Sequence, residues 1–245
     1  MKALILAAGY ATRLYPLTKE YPKPLLEVKG RPIINYIVDK LSSVSAIDEI
    51  YVVTNSKFIR VFRKWAKSVK STKKIVLVDD LTKNNQDRLG AIGDINFTIT
   101  KKNIRDDLLV IGGDNLFSAP LSGFLNSIKI NPSAVNIGLY RLKQKKDASR
   151  YGVAKLDRHK RVISFEEKPR HPQSSLVAMC LYFIPKDCLG LIKEYIQSGK
   201  KKTDATGGYI AWLKGRAPVY GYVFNGFWFD IGDHKYLNAA KEKFA

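Results

Sequence analysis

A short apolar segment near the amino terminus leads into a loop that could bind phosphate. Residues Leu4–Leu14 read L-I-L-A-A-G-Y-A-T-R-L, a buried-type strand followed by small residues and one permanent cation. Small side chains let backbone N–H groups approach a phosphate chain closely. The guanidinium of Arg13 is a planar fork of donors that matches phosphate oxygens. The segment therefore predicts phosphate binding, with Arg13 as the charged contact.

A second cation follows shortly afterwards. Lys23 stands between Pro22 and Pro24, and the two prolines stiffen its backbone. A stiff segment holds an ammonium group in place with little entropy lost on binding. Lys23 is therefore a second candidate for contacting phosphate.

The two segments together resemble the signature of the sugar nucleotidylyltransferase (nucleoside diphosphate-sugar pyrophosphorylase) family. That signature is L-A-A-G-x-G-T-R-L-x-P-L-T followed by P-K-P-L, and Leu6–Thr18 and Pro22–Leu25 match it almost without gaps. The resemblance implies catalytic roles for Arg13 and Lys23 and nucleotide binding by Leu6, Ala8, Gly9, Ala11, Thr12 and Arg13. Ala11 replaces the usual Gly. A left-handed backbone would cost Ala about 1 kcal/mol, and we expect the loop to tolerate the methyl group.

Two acids distant in sequence become candidate metal ligands through the same resemblance. Asp114 ends the strand-like segment L-L-V-I-G-G-D, and Asp230 lies in W-F-D-I-G-D. In the resembled family the corresponding acids share the catalytic metal. Mg²⁺ takes oxygen ligands and keeps some waters, so two carboxylates plus substrate phosphates suffice. Asp233 is the better N-cap for the last helix, which leaves Asp230 free for Mg²⁺, the one cofactor we expect.

A polar loop at 84–91 occupies the place of the family's base-reading loop. Gly90 fits the Gly of that loop, and a carboxamide can both donate to and accept from a pyrimidine edge. Asn85 fits the spacing and Gln86 fits the residue type. Both remain candidates, and so does a polar turn without function.

Sugar-binding candidates come from the second half of the chain. Tyr151-Gly152-Val153 resembles the family's Y-G-V segment, and Glu166-Glu167-Lys168-Pro169 its E-E-K-P segment. The resemblance assigns sugar hydroxyls to Glu167 and the sugar phosphate to Lys168, which is the third catalytic candidate. Tyr151, Gly152 and Cys180 complete the predicted sugar site. Cys180 replaces a usual Gly, which could narrow the pocket, and we interpret it as a structural rather than reactive thiol.

The periodicity of the chain predicts the elements that position these residues. Strand-like runs at Lys2–Ala7, Glu49–Thr54, Lys74–Val78 and Leu108–Ile111 alternate with helical patterns at 32–41, 58–69 and 91–100. This alternation predicts an α/β fold with a doubly wound, mixed but mainly parallel sheet of Rossmann-like, nucleotide-diphospho-sugar transferase type.

The second half of the chain has a different character. Its strands at 134–140, 153–156, 162–166, 176–184 and 219–223 predict a smaller antiparallel, sugar-binding portion, with helices near 186–197, 209–213 and 234–243. We expect one domain over 1–245, divided into a nucleotide-binding half (1–115) and a sugar-binding half (116–245). From the length we expect no β-helical acyltransferase domain of the kind that some relatives carry.

Bulk properties narrow the function classes. No apolar run approaches the roughly 20 residues that span a bilayer, and no targeting segment is evident, so we expect a cytoplasmic protein without membrane contact. The net charge of +20 is spread along the chain without a basic tail, so we expect no nucleic-acid partner. Cys180 and Cys188 show no zinc spacing. Homo-oligomers are compatible with the sequence.

The expected reaction is Mg²⁺-dependent transfer of a nucleoside monophosphate from a nucleoside triphosphate to a sugar-1-phosphate. Family frequency favours dTTP or UTP with glucose-1-phosphate. Two alternatives stay open: a CTP-dependent cytidylyltransferase acting on a phosphoalcohol, and a non-catalytic subunit that binds nucleotide sugar. The motif around Gly152, together with Glu167 and Lys168, favours a sugar over a phosphoalcohol.

Overall fold

A computed structural model describes residues 1–199 and 204–243. These residues form seven α-helices and thirteen strands, and nine of the strands make up the main sheet. The helices are α1 Ile33–Ser42, α2 Ile59–Ser68, α3 Gly90–Lys102, α4 Ser122–Ile130, α5 Gly190–Gln197, α6 Thr206–Leu213 and α7 His234–Lys243. The strands are β1 Lys2–Leu6, β2 Glu27–Val28, β3 Arg31–Pro32, β4 Glu49–Thr54, β5 Lys74–Asp79, β6 Leu108–Gly112, β7 Asn115–Phe117, β8 Val135–Arg141, β9 Gly152–Leu156, β10 Val162–Glu167, β11 Leu176–Ile184, β12 Val219–Phe224 and β13 Trp228–Asp230.

The first half of the chain builds the parallel part of the sheet. Strands β6, β1, β4 and β5 lie side by side and parallel, with Leu4 opposite both Tyr51 and Val110. Residues alternate between the two faces of these strands, and helices cover both faces. Helices α1, α2 and α4 pack on one face, while α3, α5 and α6 pack on the other. The predicted doubly wound, mainly parallel sheet is confirmed.

The second half adds the antiparallel strands. Strand β11 pairs antiparallel with β6, and β9 and β10 continue the sheet beyond it. Strand β8 pairs antiparallel with β11, and β12 lies parallel to β8. In the turn between β9 and β10, Asp157 Oδ1 accepts the backbone N–H groups of His159 and Arg161. The expected antiparallel portion is also confirmed.

Several elements differ from the sequence prediction. Pro32 precedes α1 and pairs within a short β2–β3 ribbon, rather than opening the helix. Helix α6 begins at Thr206, three residues earlier than predicted. Helix α4 was not predicted, since its Gly and Ser residues have weak helix propensity and only Phe124 and Ile128 are buried. Within the described ranges, no helix is long and apolar enough to cross a lipid bilayer.

A buried pair of acids lies behind the amino-terminal loop. Asp94 on α3 lies beside the side chain of Asp80, which follows β5. Asp80 also accepts the backbone N–H and hydroxyl of Thr82, and the Tyr10 hydroxyl lies 3.1 Å from that Thr82 hydroxyl. Burial raises the pKa of Asp94 to about 8, and the charge of Asp80 adds to the shift. The pair therefore shares a proton at neutral pH.

The proton held by this pair predicts a loss of stability as pH rises from 3.8 towards about 8. The folded pKa of Asp94 lies above the unfolded value of 3.8, so the folded state binds more protons and stability falls as pH rises through about 8. Asn mimics the protonated acid, and Asp94→Asn should flatten the dependence of melting temperature on pH between about 5 and 9. The exposed Asp187→Asn is the control. An equally steep dependence in Asp94→Asn would contradict this explanation.

Candidate active site

One cavity of about 630 Å³ opens beside the carboxyl ends of β1 and β6. Right-handed crossovers in an open α/β sheet place ligands at this edge. The lining includes nine of the candidate site residues singled out from the sequence: Arg13, Lys23, Asp114, Tyr151, Gly152, Glu167, Lys168, Cys180 and Asp230. Residues from both halves of the chain therefore face one space.

A short ribbon brings the two candidate metal ligands together. Strands β7 and β13 pair antiparallel, with Asp230 opposite Asn115. The Asn115 side chain accepts the Trp228 indole N–H at 2.7 Å and donates to the Met179 carbonyl at 2.6 Å, which fixes the ribbon to β11. Asp114 directly precedes this ribbon, and its carboxyl group lies close enough to that of Asp230 for the two charges to repel each other. The ribbon thus places an acid from late in the chain beside one from the middle.

Lys23 is the counter-charge of this acidic pair. Its Nζ lies 2.5 Å from Asp114 Oδ2. Gly113 allows the segments that carry Lys23 and Asp114 to approach each other. A Cβ at residue 113 would lie 2.8 Å from the Leu6 carbonyl oxygen and 3.2 Å from the Pro24 ring. Burial lowers the pKa of Lys23, but Asp114 and Asp230 outweigh burial and the pKa is raised overall. Lys23 is therefore charged at neutral pH.

The two acids retain an excess of negative charge. Burial raises the pKa of Asp230 to about 7, and repulsion from Asp114 adds to the shift despite Lys23 and Arg13 nearby. A divalent cation would relieve this repulsion, so the residues present fit Mg²⁺. No group of three or more His, Cys, Asp or Glu side chains suited to a metal occurs in residues 1–199 and 204–243. Two carboxylates leave the remaining positions to water and substrate oxygens, which suits Mg²⁺.

The amino-terminal loop is anchored at the two residues that precede its glycine. Ala7 N–H donates to the Val53 carbonyl, and the Asn55 carboxamide donates to the Ala8 carbonyl at 2.8 Å. Arg13 reaches the cavity, while Leu6, Ala8, Gly9, Ala11 and Thr12 are outside its lining. Ala11 is left-handed, with φ 47°, so the position does favour Gly and carries about 1 kcal/mol of strain. The Thr18 hydroxyl, which donates to the Ala11 carbonyl at 2.8 Å, supports that conformation.

The predicted base-reading loop lies apart from the cavity lining. Asn85 and Gln86 are exposed and outside it, whereas Ala91 at the start of α3 is part of it. Gly90 has φ 77°, which explains a glycine at this turn. The structure therefore favours neither Asn85 nor Gln86 as the base contact.

Two glycines surround the carboxylate predicted to bind the sugar. A Cβ on Gly152 would lie 3.0 Å from Glu167 Oε2 and 2.5 Å from the Phe165 ring. A Cβ on Gly207, in the first turn of α6, would lie 1.8 Å from the same oxygen. Burial raises the pKa of Glu167, while Lys168, with Nζ 3.7 Å from Glu167 Oε1, opposes the rise. Glu167 is therefore held in a slot without room for a methyl group on either side.

Cys180 stands at an irregular point of β11. Its φ is 50°, and the pairing of β11 with β8 shifts register between Ala178 and Tyr182. The left-handed backbone gives a physical reason for the glycine usual at this position in the resembled family. Burial raises the pKa of the Cys180 thiol to about 12, and the charges of Asp114 and Asp230 add to the shift. The thiol is neutral and unsuited to nucleophilic attack.

Sequence reasoning missed several cavity residues. The Tyr182 hydroxyl bonds to the Thr206 hydroxyl at 2.7 Å, and both side chains line the cavity. Trp228 lines it as well, with its ring centroid 5.3 Å from that of Tyr151. The alternation of Trp228 and Asp230 about Phe229 is a strand signal that could have placed Trp228 beside the acids. No comparable signal marks Tyr182.

The glycine slot yields a prediction about substrate binding. Gly207→Ala should displace the Glu167 carboxylate rather than unfold the protein, because the clashing atom is the free end of a side chain. Losing a hydrogen bond to a charged group costs about 1.5–3 kcal/mol, so we expect KM for the sugar phosphate to rise about ten- to hundredfold. Melting temperature should change little. In Gly190→Ala, the control on α5, the new Cβ meets no atom within 4 Å. An unchanged KM in Gly207→Ala would remove Glu167 from the substrate contacts.

Comparison with known proteins identifies sequence relatives of the chain. The family model described as "Nucleotidyl transferase" matches residues 2–245. The "Bifunctional protein GlmU" of Methanocaldococcus jannaschii is 30% identical over 232 residues, covering 95% of this chain and 51% of that protein. The "Putative mannose-1-phosphate guanyltransferase" of Sulfolobus acidocaldarius is 33% identical over 232 residues, covering 95% of this chain and 60% of that protein.

A solved structure shows the same similarity in three dimensions. The crystal structure of a "Putative Glucose-1-Phosphate Thymidylyltransferase" from Bacillus anthracis superposes with a TM-score of 0.77 at 25% identity, covering 99% of this chain and 94% of that one. The chain spans 51–60% of the length of the two curated relatives named above. Because the family model covers nearly every residue, the chain belongs to the nucleotidyl transferase family.

Proposed function

We propose that the protein transfers a nucleoside monophosphate from a nucleoside triphosphate to a sugar-1-phosphate and releases pyrophosphate. The observation that carries the proposal is the single cavity shared by two sets of groups. Arg13, Lys23, Asp114 and Asp230 form the set suited to a triphosphate and its metal. Glu167 and Lys168 form the set suited to a sugar phosphate.

The reaction needs positioning and charge neutralisation more than a base. A sugar-phosphate oxygen attacks the α-phosphorus and forms a new P–O bond. The bond from that phosphorus to the bridging oxygen of the β-phosphate breaks, and pyrophosphate leaves with the electron pair. The attacking oxygen is already ionised at neutral pH, so the mechanism needs no proton acceptor. Groups that hold the reactants in line and neutralise developing charge can then supply most of the catalysis.

The cations of this chain have distinct places in that reaction. Arg13 would hold the departing pyrophosphate, Lys23 the α-phosphate and Lys168 the sugar phosphate. Lys23 pairs with Asp114, whereas Lys168 pairs with Glu167, so the two ammonium groups accompany different carboxylates of the cavity. Mg²⁺ held by Asp114 and Asp230 would neutralise phosphate charge.

Glu167 and its surroundings support a sugar as the acceptor. A carboxylate accepts hydrogen bonds from two neighbouring hydroxyls, and the slot between Gly152 and Gly207 fixes where that carboxylate lies. The Tyr151 and Trp228 rings, which contact each other, add aromatic surface to the same cavity. The substrates we propose first are dTTP or UTP with glucose-1-phosphate, as the family resemblance suggests.

Release of pyrophosphate from defined substrate pairs tests the proposal. Each nucleoside triphosphate is combined with a panel of sugar-1-phosphates and phosphoalcohols, with and without Mg²⁺. We expect release that requires Mg²⁺ and one sugar-1-phosphate. Release with CTP and a phosphoalcohol alone would make the protein a cytidylyltransferase of that class. No release from folded protein with any pair would leave the non-catalytic subunit as the better hypothesis.

A further inference from the structure

An ion pair joins two segments that both reach the cavity. Arg88 lies in the loop before α3, three residues before the cavity residue Ala91. Asp204 lies just before α6 and lines the cavity together with Thr206 and Gly207. The paired residues are 116 positions apart in the chain. Contact between them therefore fixes the loop before α3 relative to the predicted sugar-binding residues of the cavity, which we call the sugar side.

The geometry of the contact is specific. Arg88 Nε donates to Asp204 Oδ1 at 3.0 Å, and Arg88 Nη2 donates to Asp204 Oδ2 at 2.6 Å. The third guanidinium nitrogen, Nη1, donates to the Asn85 carbonyl at 2.5 Å. A bidentate guanidinium–carboxylate contact fixes orientation as well as distance. Arg88 consequently fixes Asn85 on one side and Asp204 on the other.

The loop that carries Arg88 is itself tightly bonded. The Asp87 carboxylate accepts the backbone N–H groups of Lys83 and Asn84, and the Asn84 side chain accepts those of Gln86 and Asp87. Such turns hold the loop in one conformation, so that its residues move together. A displacement at Arg88 would therefore be shared by Asn85 and Gln86.

The segment that carries Asp204 leads directly to the sugar side. Thr206 begins α6 and bonds to Tyr182, while Gly207 abuts the Glu167 carboxylate. A shift of Asp204 would therefore move the wall against which Glu167 rests.

We expect the ion pair between Arg88 and Asp204 to contribute little to the free energy of unfolding. The side chains are 40% and 52% exposed, and exposed ion pairs contribute little to folding. We propose that Arg88 and Asp204 are positioning residues that couple the nucleotide and sugar-phosphate sites, so that loss of either weakens binding of both substrates. This inference rests on the function proposed above.

The test measures KM for both substrates in Arg88→Ala, Asp204→Ala and the charge exchange Arg88→Asp/Asp204→Arg. Residues in contact couple strongly enough that we expect each single change to raise both KM values about three- to tenfold. The charge exchange should recover part of the loss, and kcat should change less than KM. Melting temperatures should stay close to that of the wild type.

A second ion pair supplies a matched control. Arg31 and Asp39 are 42% and 49% exposed, with an N–O distance of 2.6 Å, and neither lines the cavity. Arg31→Ala and Asp39→Ala should leave both KM values unchanged. The coupling is refuted if Arg88→Ala and Asp204→Ala behave like this control, or if each affects only one substrate. A wild-type protein without pyrophosphate release would instead refute the proposed function.

Discussion

Asp230→Asn is expected to lower kcat by about 10²–10³-fold, the scale associated with losing one charge-stabilising group. The Asp230 side chain is partly buried and close to Asp114, and repulsion between the two helps to raise the pKa of Asp230 to about 7. Asn keeps the size and removes the charge, so the variant should fold while its affinity for Mg²⁺ falls. Pyrophosphate release across a Mg²⁺ titration measures both effects. A higher Mg²⁺ requirement together with a lower maximum rate is the expected result.

Asp233→Asn is the matched control for this experiment. Asp233 lies in the same segment, but its Oδ1 accepts the Tyr236 backbone N–H at 3.1 Å and caps α7. Asn caps helices about as well as Asp, so this variant should retain stability and most of its activity. If Asp233→Asn lost Mg²⁺ dependence and Asp230→Asn kept it, the metal ligand would be misassigned.

Lys23→Met is expected to lower kcat by a similar factor, about 10²–10³-fold. Lys23 is the cation closest to the acidic pair, with Nζ 2.5 Å from Asp114. Met preserves most of the chain length and apolar contact while removing the charge. The two carboxylates would then lack their nearest countercharge, so Mg²⁺ should bind the variant more tightly than the wild type. Opposite changes in turnover and metal affinity would be specific to this arrangement.

Lys19→Met separates this effect from general loss of positive charge. Lys19 is an exposed residue four positions earlier in the same loop, and its removal should change neither kcat nor Mg²⁺ affinity. Direct titration of Mg²⁺ by calorimetry gives the affinity without any turnover. Wild-type kcat in Lys23→Met would refute the assignment of Lys23 to the α-phosphate.

The sequence was sufficient for the parts of the fold that follow simple periodicity. Strands β1, β4, β5 and β6 are short apolar runs with helical patterns between them, and these predict a parallel sheet directly. The two-residue strands β2 and β3 and the three-residue strands β7 and β13 are too short to give such a pattern. Their pairing depends on tertiary contacts, such as that between Asn115 and Trp228.

The residues of the candidate site also fall into two groups: those that local sequence motifs indicate, and those that only the tertiary structure brings together. Arg13, Lys23, Glu167 and Lys168 stand in long, specific motifs and were found from sequence. Tyr182 and Thr206 lie in ordinary apolar or polar surroundings, and only the approach of β11 to α6 brings their hydroxyls together. The contact between Arg88 and Asp204 was equally hidden, because nothing local in either segment indicates the other.

The slot around Glu167 also constrains how this pocket can evolve. While residue 167 is Glu, any side chain at position 207 would collide with the Glu167 carboxylate. Substitution of Gly207 is therefore disfavoured. If residue 167 were first shortened to Asp, the oxygen would withdraw and alanine at 207 could become acceptable. A side chain at position 152 would be excluded even then, because the Phe165 ring also occupies that space. If Glu167 contacts the sugar as proposed, sugar preference would be subject to epistasis, because the effect of a substitution at 207 depends on the residue at 167.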